Sequence, residues 1–459
     1  MLHERLASPL LCLLILPACG ESTTEADDAP ATETADSGSS ETGSPADAAL
    51  TYWRDAKSIL DARCGGCHRP GDIAPFPLQT YEEVSAVAAV LPASIESGTM
   101  PPWPPDDTCR AYDHARSLSE ADRSTLLAWL DDGAPQGNPD DAPPPVTDSG
   151  LSLTPNLTVQ MAEPYTPTME PDDYRCFLVP WTEDATTYIT GFQVTPGNRE
   201  VVHHVIMFNA EADRVPELQA LDEAEAGPGY TCFGGAGVQT RWVGSWVPGS
   251  GARVLPEGTG VRIEPGSMMV IQMHYNTLSS APAADQTSFD LQLADSVERP
   301  AAAMLLANPG WLTGASPMLI PAGDPDVTHT YDLPASSPLW RAQLTALGVG
   351  LGDPFVIHET ALHMHYLGVS GGLSVVRGSG EQECMLEIPQ WDFGWQGGYR
   401  LQQSVIVEPD DALRMRCTWD NSEANQPVVD GEVSEPQDVV WGEGTRDEMC
   451  LGVVYVTAP

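Results

Sequence analysis

The chain has 459 residues, with 65 Asp and Glu against 21 Lys and Arg, and a formal net charge of −44 at pH 7. A surface that acidic repels phosphate backbones and anionic headgroups, which excludes a nucleic-acid role and leaves a lipid anchor as the means of meeting a membrane. The length has room for about three domains, and the apolar share of 42% is enough to build real cores.

The N-terminus reads as an export signal. Arg5 gives it a positive start and LASPLLCLLILPAC a short apolar run; a permanent span would need about 20 apolar residues. The run ends in LPAC at residues 16–19, which resembles the bacterial lipoprotein cleavage site. The resemblance implies a signal peptide over 1–19, lipid on Cys19, and a place in the cell envelope as a periplasmic or outer-membrane lipoprotein. In that oxidising compartment disulfides persist. Residues 20–48 carry no basic or aromatic side chain and read as a disordered acidic tether.

Residues 49–138 read as a small all-α domain. In SLSEADRSTLLAWLDDGAP, Ser119 caps a helix, Leu126, Leu127 and Leu130 form its apolar stripe, and Gly133 and Pro135 stop it. The same segment holds CGGCH at 64–68, the attachment pattern of a c-type haem. Cys64 and Cys67 bond the haem and His68 ligates its iron. Met100, in SGTMPPWPP, is the expected second axial ligand, with His114 as its competitor; a thioether opposite histidine makes an electron-transfer haem and raises its potential. The helical surroundings and the export signal fit a cytochrome c. An acidic, proline-rich linker follows over 139–150.

After residue 150 the pattern turns to short alternating apolar runs: YITGFQV, VVHHVIMF, MMVIQMHYN, FDLQLA, LSVVRG, SVIVEP and LGVVYVT. Gly, Pro, Asn and Asp separate them, which predicts two all-β sandwiches, 151–297 and 298–459. The histidines of this region cluster. HMH at 363–365 puts two imidazoles on one strand face, whereas adjacent His203 and His204 point to opposite faces unless the strand bends there. His274 sits in VIQMHYNT.

Six stretches occur in a family's order: YRCFLVP, VVHHVIMFNA, VIQMHYNT, LHMHYLGVSGG, LRMRCTW and WGEGTRDEMCLGVVYV. Over roughly 170–457 they resemble the copper type II, ascorbate-dependent monooxygenases, the family of the peptide-amidating hydroxylase and dopamine β-hydroxylase. The resemblance implies two jelly-roll sandwiches, each holding one copper ion across a solvent-filled gap. His203, His204 and His274 would hold the first copper. His363, His365 and Met449 would hold the second, which binds O2 and takes hydrogen from a substrate carbon. Three imidazoles suit a copper that cycles, and a thioether favours Cu(I). Gln272 matches a family glutamine near the first copper, with a part in electron transfer. The resemblance further implies disulfides Cys176–Cys232 and Cys417–Cys450. Cys109 and Cys384 have no family counterpart and either pair or stay free. His358 reads as a structural histidine near the ligands and His329 as a surface residue.

Departures from the family narrow the substrate. An arginine and a tyrosine that clamp a peptide carboxylate in the amidating hydroxylase are replaced by Ala361 and Val453, which points away from peptide amidation and towards a neutral or weakly polar small C–H substrate. The expected activity is hydroxylation of that substrate with O2, with electrons reaching the coppers through the fused haem from an upstream donor, an ascorbate-like reductant or a redox protein. The tether raises the haem's effective concentration at the coppers. The competing readings are a copper-binding lipoprotein without oxygenase activity, and an electron carrier with β-domains for adhesion or carbohydrate binding.

Overall fold

Thr80 and Ser119 start two of the helices. Thr80 and Glu83 close a capping box on the helix Tyr81–Val87, and the Ser119 hydroxyl accepts from the Asp122 amide at the start of the helix Glu120–Asp131. The computed structural model describes residues 49–459 apart from 71–73, 145–151, 171, 249, 278–280, 430–431, 443 and 445. The export signal, Cys19 and the acidic tether lie outside the described residues, as does the second half of the linker.

Helices α1 (Lys57–Arg63), α2 (Tyr81–Val87), α3 (Leu91–Glu96) and α4 (Glu120–Asp131) surround a small core of Tyr52, Leu60, Leu78, Val84, Leu126 and Trp129. On α4 the deepest pair is Leu126 and Trp129, one turn apart, with Leu127 and Leu130 half-buried on its flanks. The tryptophan, not the leucine stripe, anchors this helix because its indole Nε1–H also finds an acceptor, Pro135 O at 3.1 Å. Gly133, at φ 83, ends the helix. Among the described residues no helix is long and apolar enough to cross a membrane.

The rest is mainly β structure, with helices α5 (Val215–Ala224), α6 (Pro309–Thr313) and α7 (Pro338–Ala346) between strands, and each apolar run read from the sequence falls mostly in a strand. The first half carries β1 (Leu157–Gln160), β2 (Asp172–Pro180), β3 (Thr187–Thr195), β4 (Val202–Ala210), β5 (Tyr230–Thr231), β6 (Arg241–Trp246), β7 (Arg253–Val254), β8 (Thr259–Ile263), β9 (Met268–Asn276) and β10 (Ser288–Ala294). The second carries β11 (Arg299–Leu306), β12 (Val327–Pro334), β13 (Phe355–His363), β14 (Gly368–Val376), β15 (Gln382–Ile388), β16 (Gly398–Val407), β17 (Ala412–Trp419), β18 (Val428–Val429), β19 (Glu432–Val433) and β20 (Leu451–Thr457).

A five-stranded sheet, β5-β2-β9-β4-β6, and a four-stranded sheet, β12-β17-β14-β15, pack against one long sheet of order β1-β10-β3-β8-β11-β20-β13-β16. Two cores result. Phe177, Val205 and Ile271 meet Ile189, Phe192 and Val261 in the first sandwich. Leu373, Met415 and Trp419 meet Met304, Ile357 and Val454 in the second. The long sheet belongs to both. Strand β11 pairs parallel with β8 of the first sandwich and antiparallel with β20 of the second, so backbone hydrogen bonds fix the two sandwiches to each other. Across this seam Glu359 takes Arg253 from β7, alongside Arg400 from β16 of its own sandwich, and the Thr259 and Tyr455 hydroxyls meet at 3.0 Å.

Among the described residues three disulfides are present: Cys176–Cys232, Cys417–Cys450 and Cys109–Cys384. The last answers the pairing the sequence leaves open. It also joins the helical part to β15 of the second sandwich, so the proline-rich linker is not the sole covalent connection between them.

Candidate metal centre

A bulge brings His203 and His204 together. In the β4–β9 pairing Val202 faces Tyr275 and His204 faces His274, with His203 as the extra residue between those pairs. The inserted residue bends the strand, and two neighbours that would alternate across the sheet now point one way. The Nδ1 atoms of His203, His204 and His274 form a nearly equilateral triangle, with sides of 3.3, 3.1 and 3.2 Å. An ion near its centre would sit about 2 Å from each nitrogen, the normal metal–imidazole distance. These three residues form a cluster able to hold a metal ion.

The outer ring nitrogen of His274 is fixed as well. Its Nε2–H donates to Asp172 Oδ1 at 2.8 Å, which also accepts from Asn276 Nδ2 at 2.8 Å. That bond sets the tautomer that leaves Nδ1 with a lone pair. Tyr174, opposite His274 in the β2–β9 register, stacks on it with centroids 4.0 Å apart and planes at 9°. Burial, with His274 next, pushes the His203 imidazole down to about 3, and burial drives His204 well below its ordinary range. Both rings are therefore neutral at pH 7, as metal ligation requires. Gln272 lies on the same face of β9 as His274, buried, with its amide 3.7 Å from Cys232 Sγ.

The second cluster sits where β13 ends and β20 begins. His363 pairs with Leu451, and His365, just past the end of β13, bonds Asp447 and Glu448, the residues that precede Met449. The rings of His363 and His365 are 5.0 Å apart at 76°. Each has its Nδ1 engaged elsewhere, His363 with Gln396 Oε1 at 2.5 Å and His365 with Asp447 O at 2.8 Å, so here Nε2 is the ligating atom on offer. Burial pushes His363 down to about 3 and His365 to about 4. Glu448, fully buried beside Met449, accepts from the His365 amide at 2.9 Å, the Leu367 amide at 2.7 Å and Trp419 Nε1 at 2.8 Å. It ties the turn after β13 to the segment that leads into β20, and burial pushes its carboxyl up to about 7 against these donors.

The two clusters are not separated by solvent alone. Phe393, in the β15–β16 loop, stacks on His203 and turns its edge to His365. A cavity of about 370 Å³ beside it is lined by Tyr366, Trp391, Asp392, Phe393 and Asn425. Ala361 and Val453, which stand where the family's carboxylate clamp would be, face each other across β13 and β20.

At the haem motif, His68 is buried and its Nδ1 donates to Phe76 O at 2.9 Å, which leaves Nε2 as the ligating atom on offer. Cys64 and Cys67 stay thiols while six other cysteines are in disulfides. Donor set and thiols fit a covalent haem. Met100 is half-buried, its amide bonded to Ser94 O at 3.1 Å, and His114 is exposed at a φ of 55°. His358 stands apart from both clusters, its two ring nitrogens engaged by Thr457 and Ser404 at 2.9 and 2.8 Å. His329 is more than a surface residue: it lies between Trp311 and Trp419 and bonds Leu319 O at 2.9 Å.

Fold and site together define a mostly β protein with a helical N-terminal part and a histidine cluster able to hold a metal ion. Residues 352–457 match the family model of the copper type II ascorbate-dependent monooxygenase, C-terminal domain. MOXD1 homolog 1 of Drosophila melanogaster is 20% identical over 265 residues, which cover 55% of this chain and 35% of that protein. Dopamine beta-hydroxylase of Canis lupus familiaris is 21% identical over 268 residues, covering 57% of this chain and 39% of that protein. The chain thus spans little more than a third of the length of these curated relatives. The solved infectious bursal disease virus VP2 subviral particle is 11% identical over 70% of this chain and 76% of that one at a TM-score of 0.15, too low to carry an argument. The family likeness is thus carried by residues 352–457, which are similar to the C-terminal domain of the copper type II ascorbate-dependent monooxygenases.

Proposed function

We propose that the chain is an exported copper monooxygenase that hydroxylates a C–H bond of a neutral or weakly polar small molecule with O2. It is anchored through lipid on Cys19 and receives electrons through a c-type haem on Cys64 and Cys67, with His68 and Met100 as axial ligands. When bound, two copper ions supply one-electron chemistry and dioxygen activation, and the haem supplies electrons from an upstream reductant.

The observation that carries the reading is the triangle of Nδ1 atoms on His203, His204 and His274, paired with a second histidine couple that offers Nε2 instead. The first trio would hold one copper. His363, His365 and the thioether of Met449 would hold the other, a softer set suited to Cu(I). Asp172 orients His274, and Gln396 and Asp447 O orient His363 and His365. Phe393 lies between the clusters and limits water there. Gln272, one pleat from His274, assists electron transfer at the first copper. With Ala361 and Val453 in place of a clamp, no charged group at that pair asks for an anionic substrate.

The test is copper loading of the purified protein followed by oxygen uptake with a reductant. About two copper ions per chain are expected, falling to about one in His363→Ala and in His203→Ala, with reductant-dependent oxygen consumption in the unaltered protein alone. Absence of bound copper, or copper without oxygen consumption across a screen of neutral substrates, overturns the reading.

A further inference from the structure

The stretch 103–116 leaves the helical core and runs along the outer edge of the second sandwich. Tyr112 forms an antiparallel bridge with Leu401. The Asp113 amide donates to Arg400 O at 2.8 Å, Gln402 to Ala111 O at 3.1 Å, and Asp106 to Glu387 O at 2.8 Å. Arg110 pairs with Glu383 at 2.8 Å, and Cys109 is bonded to Cys384. Tyr112 is buried in the core of the second sandwich, with its hydroxyl donating to Met385 O at 3.2 Å. The segment that follows Met100 is therefore a built part of the domain that carries His363 and His365.

Three aromatic rings meet at that joint. Trp103 is 5.4 Å from Tyr399 at 86° and 6.1 Å from Tyr112 at 70°, and Tyr112 is 6.0 Å from Tyr399 at 61°, all edge-to-face contacts. Trp103 stands three residues after Met100, at most about 10 Å of extended chain. On the other side, Tyr399 pairs with Thr360 and Gly398 with Ala361 on β13, the strand that ends at His363. Three residues back along the chain from Tyr399 is Gln396, whose Oε1 meets His363 Nδ1 at 2.5 Å. An unbroken series of ring contacts, covalent bonds and one hydrogen bond thus joins the Met100 loop to His363. The three-histidine cluster lies on the other sheet of the first sandwich, and Phe393 connects it to the second cluster.

We infer that Trp103 and Tyr399 form the electron path from the haem-bearing segment into the second sandwich, with His363, not the three-histidine cluster, as the point of entry. Electron tunnelling weakens steeply with distance and more steeply across gaps than through bonds and packed rings, so a fixed, bonded joint is favoured over collision on a tether. Each transfer moves one electron and no proton: ferrous haem becomes ferric and one cupric ion at the His363 end becomes cuprous. The inference rests on the proposed haem and copper roles.

Its test uses the full copper-loaded protein under anaerobic conditions. A photoreduced flavin delivers one electron to the haem, and the decay of the ferrous absorption band is followed. Trp103→Leu is expected to slow that decay by roughly an order of magnitude or more, and Trp103→Phe to restore most of it, with haem spectrum and copper content unchanged in both. His363→Ala should abolish the fast decay, whereas His203→Ala should retain it. Decay at the unaltered rate in Trp103→Leu, or loss in His203→Ala with retention in His363→Ala, overturns the path. If the unaltered protein shows no copper-dependent decay at all, the haem-feeding reading itself falls, an outcome distinct from failure of the route.

Discussion

Phe393 lies face to face with His203, with ring centroids 5.4 Å apart and planes inclined by 20°. Its edge is 6.0 Å from His365 at 85°, so one side chain touches both histidine clusters. It donates no ligand atom. Phe393→Ala should therefore leave copper content unchanged while lowering turnover by about tenfold, a barrier change of roughly 1.4 kcal/mol. Phe393→Leu, which keeps most of the apolar volume, should lie between. Copper analysis alongside product formation in the three proteins checks this; a loss of copper in Phe393→Ala would show that the ring supports the ligands rather than the space between them.

Much of the site was legible because strand periodicity and ligand chemistry act locally. The spacing of His363 and His365 predicts a common strand face; β13 ends at His363, and His365 lies just beyond it with its ring 5.0 Å from that of His363. His203 and His204 show the limit of that reasoning. Alternation sets them apart, and only the bulge opposite His274 reconciles them; no residue type in VVHHVIMF announces it. Asp172, Tyr174, Gln396 and Glu448 were missed because their roles depend on register between distant strands. Glu448 alone had a local signal, an acid beside the methionine in DEMC. Phe393 had none, since its loop reaches the first sandwich only after the long sheet has joined the two halves. That shared sheet is itself invisible to a scan along the chain, because β11 pairs with β8 earlier in the chain and with β20 near its end.

Asp172 accepts the Nε2–H of His274 and should set affinity at the first cluster alone. Removing such an outer partner typically costs ten- to hundredfold in metal affinity. Asp172→Ala is expected to weaken one of two copper-binding phases by about that factor and to leave the phase that depends on His363 unchanged. Competitive titration with a copper chelator, in this variant and in one combining it with His363→Ala, separates the phases.

Glu448 makes the complementary case. Its carboxylate receives the His365 and Leu367 amides and the Trp419 indole. In Glu448→Gln one of the two acceptor oxygens becomes an NH2 that faces N–H donors. A buried donor left without an acceptor costs about 1–3 kcal/mol. The variant should unfold at lower urea and bind the second copper about ten- to hundredfold more weakly, with the His203 cluster unaffected. A variant as stable as the unaltered protein, with both copper phases intact, would remove Glu448 from the support of the Met449 site.

Glu359 holds the seam between the sandwiches through Arg253, alongside Arg400 of its own sandwich. Burial alone would raise its carboxyl, but the two guanidiniums outweigh burial and hold it below the ordinary glutamate value. An unfolded glutamate titrates near 4.3. In the window between that value and the lower folded one, the unfolded chain binds more protons, so stability rises with pH there. The contribution of this group is complete above about pH 4.3 and is lost as pH falls through the folded value. Glu359→Ala leaves two arginines facing each other and should cost about 3 kcal/mol near neutral pH, the lower end for a buried pair because Arg253 is partly exposed. Urea unfolding between about pH 3 and pH 7 should show the gap between the unaltered protein and Glu359→Gln closing on the acid side, since the amide has no proton to gain. A gap that stays constant across that range would mean that Glu359 acts by hydrogen bonding alone and that its charge contributes nothing to the seam.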